Sequence, residues 1–160
     1  MSTRVEAVTT GDRLPDLELT SADGVVTGLR ARGRFGAVVV LVHDAACEDC
    51  RRYLAELAAA DEQHREWDGR VVALVPAPPE RVAEYRDTAG LPYSVLSDPE
   101  RRAWAALGLA GAAVLIADQW GELRYVSPAG AGHSFPTADE VTGWLRFLAI
   151  QCPECEGEAL

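Results

Sequence analysis

One junction in this sequence restricts the fold more than any other feature: a short apolar run that leads into a pair of cysteines. Residues Ala37 to Val42 read AVVVLV, and the motif CEDC, Cys47 to Cys50, follows after four intervening residues. A continuous run rich in β-branched side chains is typical of a central strand that is covered on both faces. The junction therefore predicts a buried strand with two cysteines just beyond its end.

The segment that begins at Cys50 has the spacing of an amphipathic helix. Charged residues fill one side, and the apolar residues that recur at helical intervals are Tyr53, Leu54, Leu57 and Ala58. We expect a helix of roughly four to five turns, ended by Asp68-Gly69. His64 lies on this helix, where a surface or hydrogen-bonded histidine is expected.

The remaining elements continue an alternation of strands and helices. A second buried strand is expected at Val71 to Val75, followed by a proline-rich loop and a helix that turns Val82 and Tyr85 inward. The pattern then predicts a short extended piece at Tyr93 to Leu96 and a helix from Pro99 to Leu107 that is capped by Ser97 and Asp98. An antiparallel hairpin is expected next, formed by Ala112 to Ala117 with Glu122 to Val126. A last helix from Thr137 or Ala138 is expected to carry four apolar residues on one face: Val141, Trp144, Leu145 and Leu148.

Length and charge limit what the chain can be. Its 160 residues, 48% of them hydrophobic, can bury one core without disulfides, so we expect a single domain over 1–160, with its core at about 11–150 and a tail at 151–160. A net charge of −10 disfavours nucleic acids and anionic membranes as partners. The N-terminal segment has no apolar signal region, so the expected location is the cytoplasm.

The four cysteines form two C-x-x-C pairs, Cys47 with Cys50 and Cys152 with Cys155. Without a secretion signal, such pairs are more often redox or metal groups than structural disulfides. A helix start stabilises a thiolate, so Cys47 is expected to attack and Cys50, one turn further on, to resolve. Just ahead of them, His43 is a candidate supporting residue for catalysis, and Asp44 is a candidate proton acceptor or helix cap.

The second pair lies in the polar tail IQCPECEGEAL. Cys152 and Cys155 are candidates for a second redox pair, for half of a zinc site, or for a segment without function. Ten extended residues span at most roughly 33 to 36 Å, so the tail could reach back to the first pair or reach a partner subunit. An electron relay between two subunits is one hypothesis that follows.

Several phrases of the chain resemble one family. The order strand, C-x-x-C, helix, strand, helix, hairpin, helix is similar to the thioredoxin-like fold, a three-layer α/β/α arrangement around a central mixed sheet. The phrases that resemble its peroxiredoxin-like branch, the alkyl hydroperoxide reductase and thiol-specific antioxidant family, are GDRLPDLEL at Gly11 to Leu19, AVVVLV leading to CEDC, LPYSVLSDPE at Leu91 to Glu100, and VLIADQWGELRYV at Val114 to Val126.

The resemblance also defines how this chain differs from the peroxiredoxin motif P-x-x-x-[TS]-x-x-C. When the motif is placed on Cys47, the proline and threonine positions hold Val40 and Asp44, and when it is placed on Cys50 they hold His43 and Cys47. The hairpin position where peroxiredoxins carry an arginine falls near Ala112. Because both cysteines of C-x-x-C are present while these pocket residues differ, disulfide exchange is favoured over peroxide reduction.

The resemblance therefore implies a thiol-disulfide oxidoreductase or thiol-dependent peroxidase that needs no organic cofactor and no metal. Its implied partners are a thioredoxin-type electron donor or a protein disulfide substrate, and a homodimer is compatible with the tail cysteines. Two other hypotheses stay open. One is a binding module in which each C-x-x-C gives two thiolates to zinc, and the other is a redox-inactive thioredoxin-like interaction domain.

Overall fold

A mixed sheet organises the part of the chain that the computed structural model describes, residues 6–30, 36–129 and 134–151. Its seven strands are β1 (Glu18–Ser21), β2 (Val26–Gly28), β3 (Gly36–Leu41), β4 (Gly69–Val75), β5 (Ser94–Ser97), β6 (Ala113–Asp118) and β7 (Leu123–Pro128), in the order β2-β1-β5-β4-β3-β6-β7. Strand β3 is parallel to β4 and antiparallel to β6, so the strand that leads to the cysteines is central.

Five helices in the described residues cover this sheet. They are α1 (Glu48–Ala59), α2 (Asp61–Glu66), α3 (Pro79–Ala89), α4 (Arg102–Leu107) and α5 (Ala138–Ile150). Alternate residues of β3 enter two separate core clusters: Val38 and Val40 pack with α1, α3 and α5, whereas Val39 and Leu41 pack with α4 and the N-terminal segment. Because every residue of β3 is buried, both faces are covered, and the expected three-layer thioredoxin-like fold is confirmed.

Most of the predicted elements are present within two or three residues of their expected bounds. Strands β3 and β4, the antiparallel β6–β7 hairpin and the last helix, which is capped by the Thr137 side chain, match the expectations. The long helix after the cysteines is instead divided into α1 and α2 at Ala60, where φ is −102° and ψ is 8°. The β1–β2 hairpin was not predicted, because its strands are short and largely polar.

Helix α4 begins later than the sequence pattern indicates. The expected start was Pro99, but Arg101 has a left-handed φ of 55°, which a right-handed helix cannot include, and the helix begins at Arg102. Arg101 is the N-cap residue and makes no side-chain cap hydrogen bond, but the Asp98 carboxylate accepts hydrogen bonds from the backbone N–H groups of Arg102 and Ala103 at 2.9 and 2.8 Å. Ser97 does not cap the helix, because its hydroxyl donates to the Ala77 carbonyl.

None of the helices in the described ranges combines the length and apolar character needed to cross a membrane.

Candidate active site

The candidate site lies where β3 ends and α1 begins. After Leu41 the chain continues through Val42 to His43, and a turn then leads to Cys47, the N-cap residue of α1. The Sγ atom of Cys47 accepts a hydrogen bond from the backbone N–H of Cys50 at 3.4 Å. Cys47 therefore occupies the position at which a helix exposes its unpaired N–H groups and the positive end of its dipole.

The turn before Cys47 is held by Asp44. Its backbone carbonyl accepts a hydrogen bond from the Cys47 N–H at 3.0 Å, and its carboxylate accepts one from the Ala46 N–H at 2.8 Å. The Asp44 side chain is exposed and stabilises the turn. The N-cap of α1 is Cys47, so the expectation that Asp44 could cap this helix was wrong.

The two thiols differ in their surroundings. Cys47 is partly exposed, whereas Cys50 is only 1% exposed and belongs to the core cluster. Burial raises the pKa of the Cys50 thiol to about 12. A hydrogen bond with the His43 backbone opposes this shift, whereas a hydrogen bond with the Cys47 side chain and the charges of Cys47 and Asp49 add to it. The two sulfurs are near each other but not bonded to each other in this structure.

His43 adds a third chemical group to the pair. Its Nδ1 lies 3.5 Å from the Sγ of Cys50, and its backbone carbonyl accepts a hydrogen bond from the Arg101 guanidinium at 2.5 Å. One ligand atom from each of His43, Cys47 and Cys50 lies within 4.8 Å of the other two. The structure thus brings together three of the four residues proposed around the first cysteine pair.

An open cleft of about 330 Å³ adjoins the start of α1. It is lined by Ala45, Ala46, Arg51, Arg81, Glu84, Tyr85 and Thr88. The Arg51 guanidinium carbon lies 5.0 Å from the centroid of the Tyr85 ring, and its Nη2 donates to the Ala45 carbonyl at 3.3 Å. Burial, and then the nearby charge of Cys50, raises the pKa of Tyr85 to about 12. This arrangement fixes an arginine one residue beyond the cysteine pair.

Sequence reasoning missed two contributors to this site. Arg101 is 58 residues from His43 in the chain, and no local pattern connects them. Tyr85 was predicted only as an inward residue of a helix, and its proximity to Arg51 depends on how α3 packs. The second predicted pair, Cys152 and Cys155, lies outside the described residues.

Comparison with known proteins identifies the family. The AhpC/TSA family model matches residues 10–126. The chain belongs to the AhpC/TSA family. The Mycobacterium tuberculosis protein named "Putative peroxiredoxin Rv2521" is 34% identical to it over 118 residues, which are 66% of this chain and 69% of that protein. As a member of the AhpC/TSA family, the protein is a thiol-dependent peroxidase or oxidoreductase.

Solved structures support the same fold at lower identity. A peroxiredoxin-like protein from Aquifex aeolicus has a TM-score of 0.77 at 18% identity, and the match covers 91% of this chain and 90% of that protein's chain. The peroxidoxin BcpB from Mycobacterium tuberculosis has a TM-score of 0.74 at 19% identity, and the match covers 89% of this chain and 98% of the BcpB chain. A "putative protein disulfide isomerase" from Bacteroides thetaiotaomicron has a TM-score of 0.75 at 16% identity, and the match covers 93% of this chain and 95% of that protein's chain. The AhpC/TSA chain thus shares its fold with proteins named for peroxide and for disulfide chemistry.

Proposed function

We propose that this AhpC/TSA protein is a thiol-disulfide oxidoreductase in which Cys47 and Cys50 cycle between dithiol and disulfide. The observation that carries the proposal is the unequal placement of the two sulfurs on α1. Cys47 is reachable from solvent at the helix N-terminus, whereas Cys50 is 1% exposed and one turn behind it. An accessible sulfur supported by a helix dipole suits the attacking role, and a buried neighbour suits the resolving role.

The oxidative half of the proposed cycle consists of two exchanges, and a dithiol reductant then restores the Cys47 and Cys50 thiols. The Cys47 thiolate attacks one sulfur of a substrate disulfide, forms a mixed disulfide and releases the first substrate thiolate, which takes up a proton from solvent. Cys50 then loses its proton and attacks the Sγ of Cys47, which releases the second substrate thiolate. The protein loses two electrons as the Cys47–Cys50 disulfide forms, and the substrate disulfide gains them as two thiols.

His43 is proposed to assist the second exchange. Its Nδ1 is 3.5 Å from the Cys50 sulfur, so it can accept the proton that Cys50 must lose. The hydrogen bond from Arg101 to the His43 carbonyl fixes the backbone that carries this ring. His43 therefore has the position of a base for the resolving cysteine rather than for the attacking one.

Disulfide exchange is preferred over peroxide reduction because the motif positions differ from those of peroxiredoxins. Val40 is a buried residue of the sheet, and Asp44 is occupied by its turn hydrogen bond. The proposed reductant is a thioredoxin-type donor, or the tail pair Cys152 and Cys155 acting within one chain or between two. A dithiol of this kind suits the cytoplasm, where thiols are kept reduced.

The decisive experiment compares Cys47→Ser with Cys50→Ser in full-length protein that also carries Cys152→Ser and Cys155→Ser, so that the tail thiols neither form nor resolve mixed disulfides. Incubation with a disulfide such as oxidised glutathione or insulin should trap a mixed disulfide on Cys50→Ser, because attack proceeds and resolution cannot. Cys47→Ser should trap none, and its turnover should fall at least about 1,000-fold. The mixed disulfide is measured by intact-protein mass spectrometry.

The same variants distinguish the remaining functions. Rapid oxidation of Cys50→Ser by hydrogen peroxide to a sulfenic acid, with no reaction toward disulfides, would assign the protein to peroxide reduction instead. Trapping on Cys47→Ser rather than on Cys50→Ser would reverse the proposed roles. If Cys47→Ser turned over as fast as the parent protein, the cysteine pair would have no redox role, and the remaining function would be that of a redox-inactive interaction domain.

A further inference from the structure

We propose that His43, Cys47 and Cys50, in their reduced state, form a three-ligand binding site for Zn²⁺. The site uses a thiolate from each cysteine and one ring nitrogen of His43. It differs from a zinc site built from the two C-x-x-C pairs, because its third ligand is a histidine of the β3–α1 junction. The proposal concerns binding and does not depend on which reaction the cysteines catalyse.

The distances between the ligand atoms fit tetrahedral zinc. With Zn–S bonds of about 2.3 Å and Zn–N bonds of about 2.0 to 2.1 Å, a sulfur and a nitrogen on one tetrahedral ion are about 3.6 Å apart. The observed separation of Cys50 Sγ and His43 Nδ1 is 3.5 Å, and all three ligand atoms are mutually within 4.8 Å. One ion can therefore bond to all three after small side-chain rotations.

The protein holds each ligand in place before metal arrives. Cys47 is fixed as the N-cap of α1 through the Cys50 N–H, and Cys50 is packed in the core cluster. The His43 backbone is tied to Arg101. Ligands ordered by the fold lose less conformational entropy on binding than ligands on a mobile segment, so the site is preorganised.

Charge and access also suit a divalent cation. Two thiolates and a neutral imidazole balance the two positive charges of the ion, and Glu48 and Asp49 add negative charge in the first turn of α1. His43 and Cys47 are partly exposed, which leaves a route for the ion and an open fourth position for water. Soft sulfur donors with imidazole select zinc over magnesium or calcium.

The test uses Co²⁺ as a spectroscopic probe for the zinc site, in full-length protein that carries Cys152→Ser and Cys155→Ser to remove the tail thiols. After reduction and removal of the reductant, one Co²⁺ per chain should bind with thiolate-to-cobalt charge-transfer bands and tetrahedral d–d bands. Zn²⁺ should displace it. Cys47→Ser should remove about half of the charge-transfer intensity per bound Co²⁺, because one of the two thiolates is lost.

A matched pair of variants tests the histidine. His43→Asn should weaken binding by about 10- to 100-fold or more, since even indirect supporting groups have effects of that size, whereas Glu62→Gln, at an exposed position of α2 outside the ligand cluster, should leave affinity unchanged. If His43→Asn does not fold, a paramagnetically shifted imidazole N–H signal in the Co²⁺-loaded parent gives the same information. Loss of all binding with the tail cysteines replaced, unchanged affinity in His43→Asn, or absence of the shifted signal would each overturn the proposal.

Discussion

At the scale of single residues, His64 is the polar side chain least explained by the sequence. It was expected at the surface or hydrogen-bonded, yet it is 0% exposed, and neither ring nitrogen has a hydrogen-bond partner in the described structure. Burial lowers its pKa, so the folded protein holds the ring neutral. A buried polar group without partners costs folding free energy that an apolar side chain would not.

We therefore predict that His64→Leu increases the free energy of unfolding by on the order of 1 kcal/mol at neutral pH. The unfolded chain binds a proton on His64 near its ordinary pKa of about 6.5 and the folded chain does not, so the parent loses stability as the pH falls from about 7 toward 5. Urea unfolding from pH 5 to 8 measures both effects. The advantage of His64→Leu should widen at low pH, and parallel curves for the two proteins would contradict this explanation.

The residues of the candidate site show which information is local. Cys47, Cys50 and His43 could be selected from the sequence because they lie within eight positions at the end of one recognisable strand. Arg101 could not, because its contact with the His43 carbonyl depends on a left-handed turn before α4 that no residue pattern indicates. Neighbours in sequence were predictable, and neighbours created by packing were not.

At the scale of elements, the contact between α5 and the start of β4 depends on Gly69, which has no side chain. A Cβ added to Gly69 would lie 2.6 Å from the Cδ1 of Leu145, which is 1% exposed in the core. The close approach lets α5 cover the sheet beside the site strand. The sequence predicted both elements correctly, but their separation follows from this glycine and could not be read from hydrophobic spacing.

Two glycine substitutions test this contact with opposite expected signs. Gly69→Ala should destabilise the protein by about 1 to 3 kcal/mol, because Leu145 must leave its packed position. Gly143→Ala, at an exposed position of α5 with nothing within 4 Å, should stabilise it by about 0.5 to 1 kcal/mol by restricting the unfolded chain. Denaturant unfolding gives both values, and a neutral Gly69→Ala would show that α5 can shift away without loss.

At the scale of the whole molecule, the two core clusters share the same strands. Val38 and Val40 belong to one cluster and Val39 and Leu41 to the other, so neither layer can lose its packing while β3 stays fully buried. We propose that the chain is one domain and one cooperative folding unit. Chain length and hydrophobic content made the single-domain prediction possible from sequence, whereas the pairing of β1 with β5 required knowledge of the sheet order.

Cooperative folding predicts one unfolding transition for every probe. Far-ultraviolet circular dichroism follows all helices, and tryptophan fluorescence follows Trp104 in one cluster and Trp144 beside the other. The two signals should have the same denaturant midpoint and slope. Separate midpoints would mean that one layer unfolds independently and that the single-domain description is wrong.

The central place of β3 has a consequence for the chain while it is being made. Strand β6, which completes the sheet beside β3, ends at Asp118, roughly seventy residues after Cys50, and a ribosome adds that length in on the order of 3 to 14 seconds. Until then the two thiols lie beside an incomplete sheet, and Cys50 lacks the β6 residues of its core cluster, among them Val114 and Ile116. The proposed distinction between an attacking and a resolving sulfur is therefore acquired only after β6 has been synthesised.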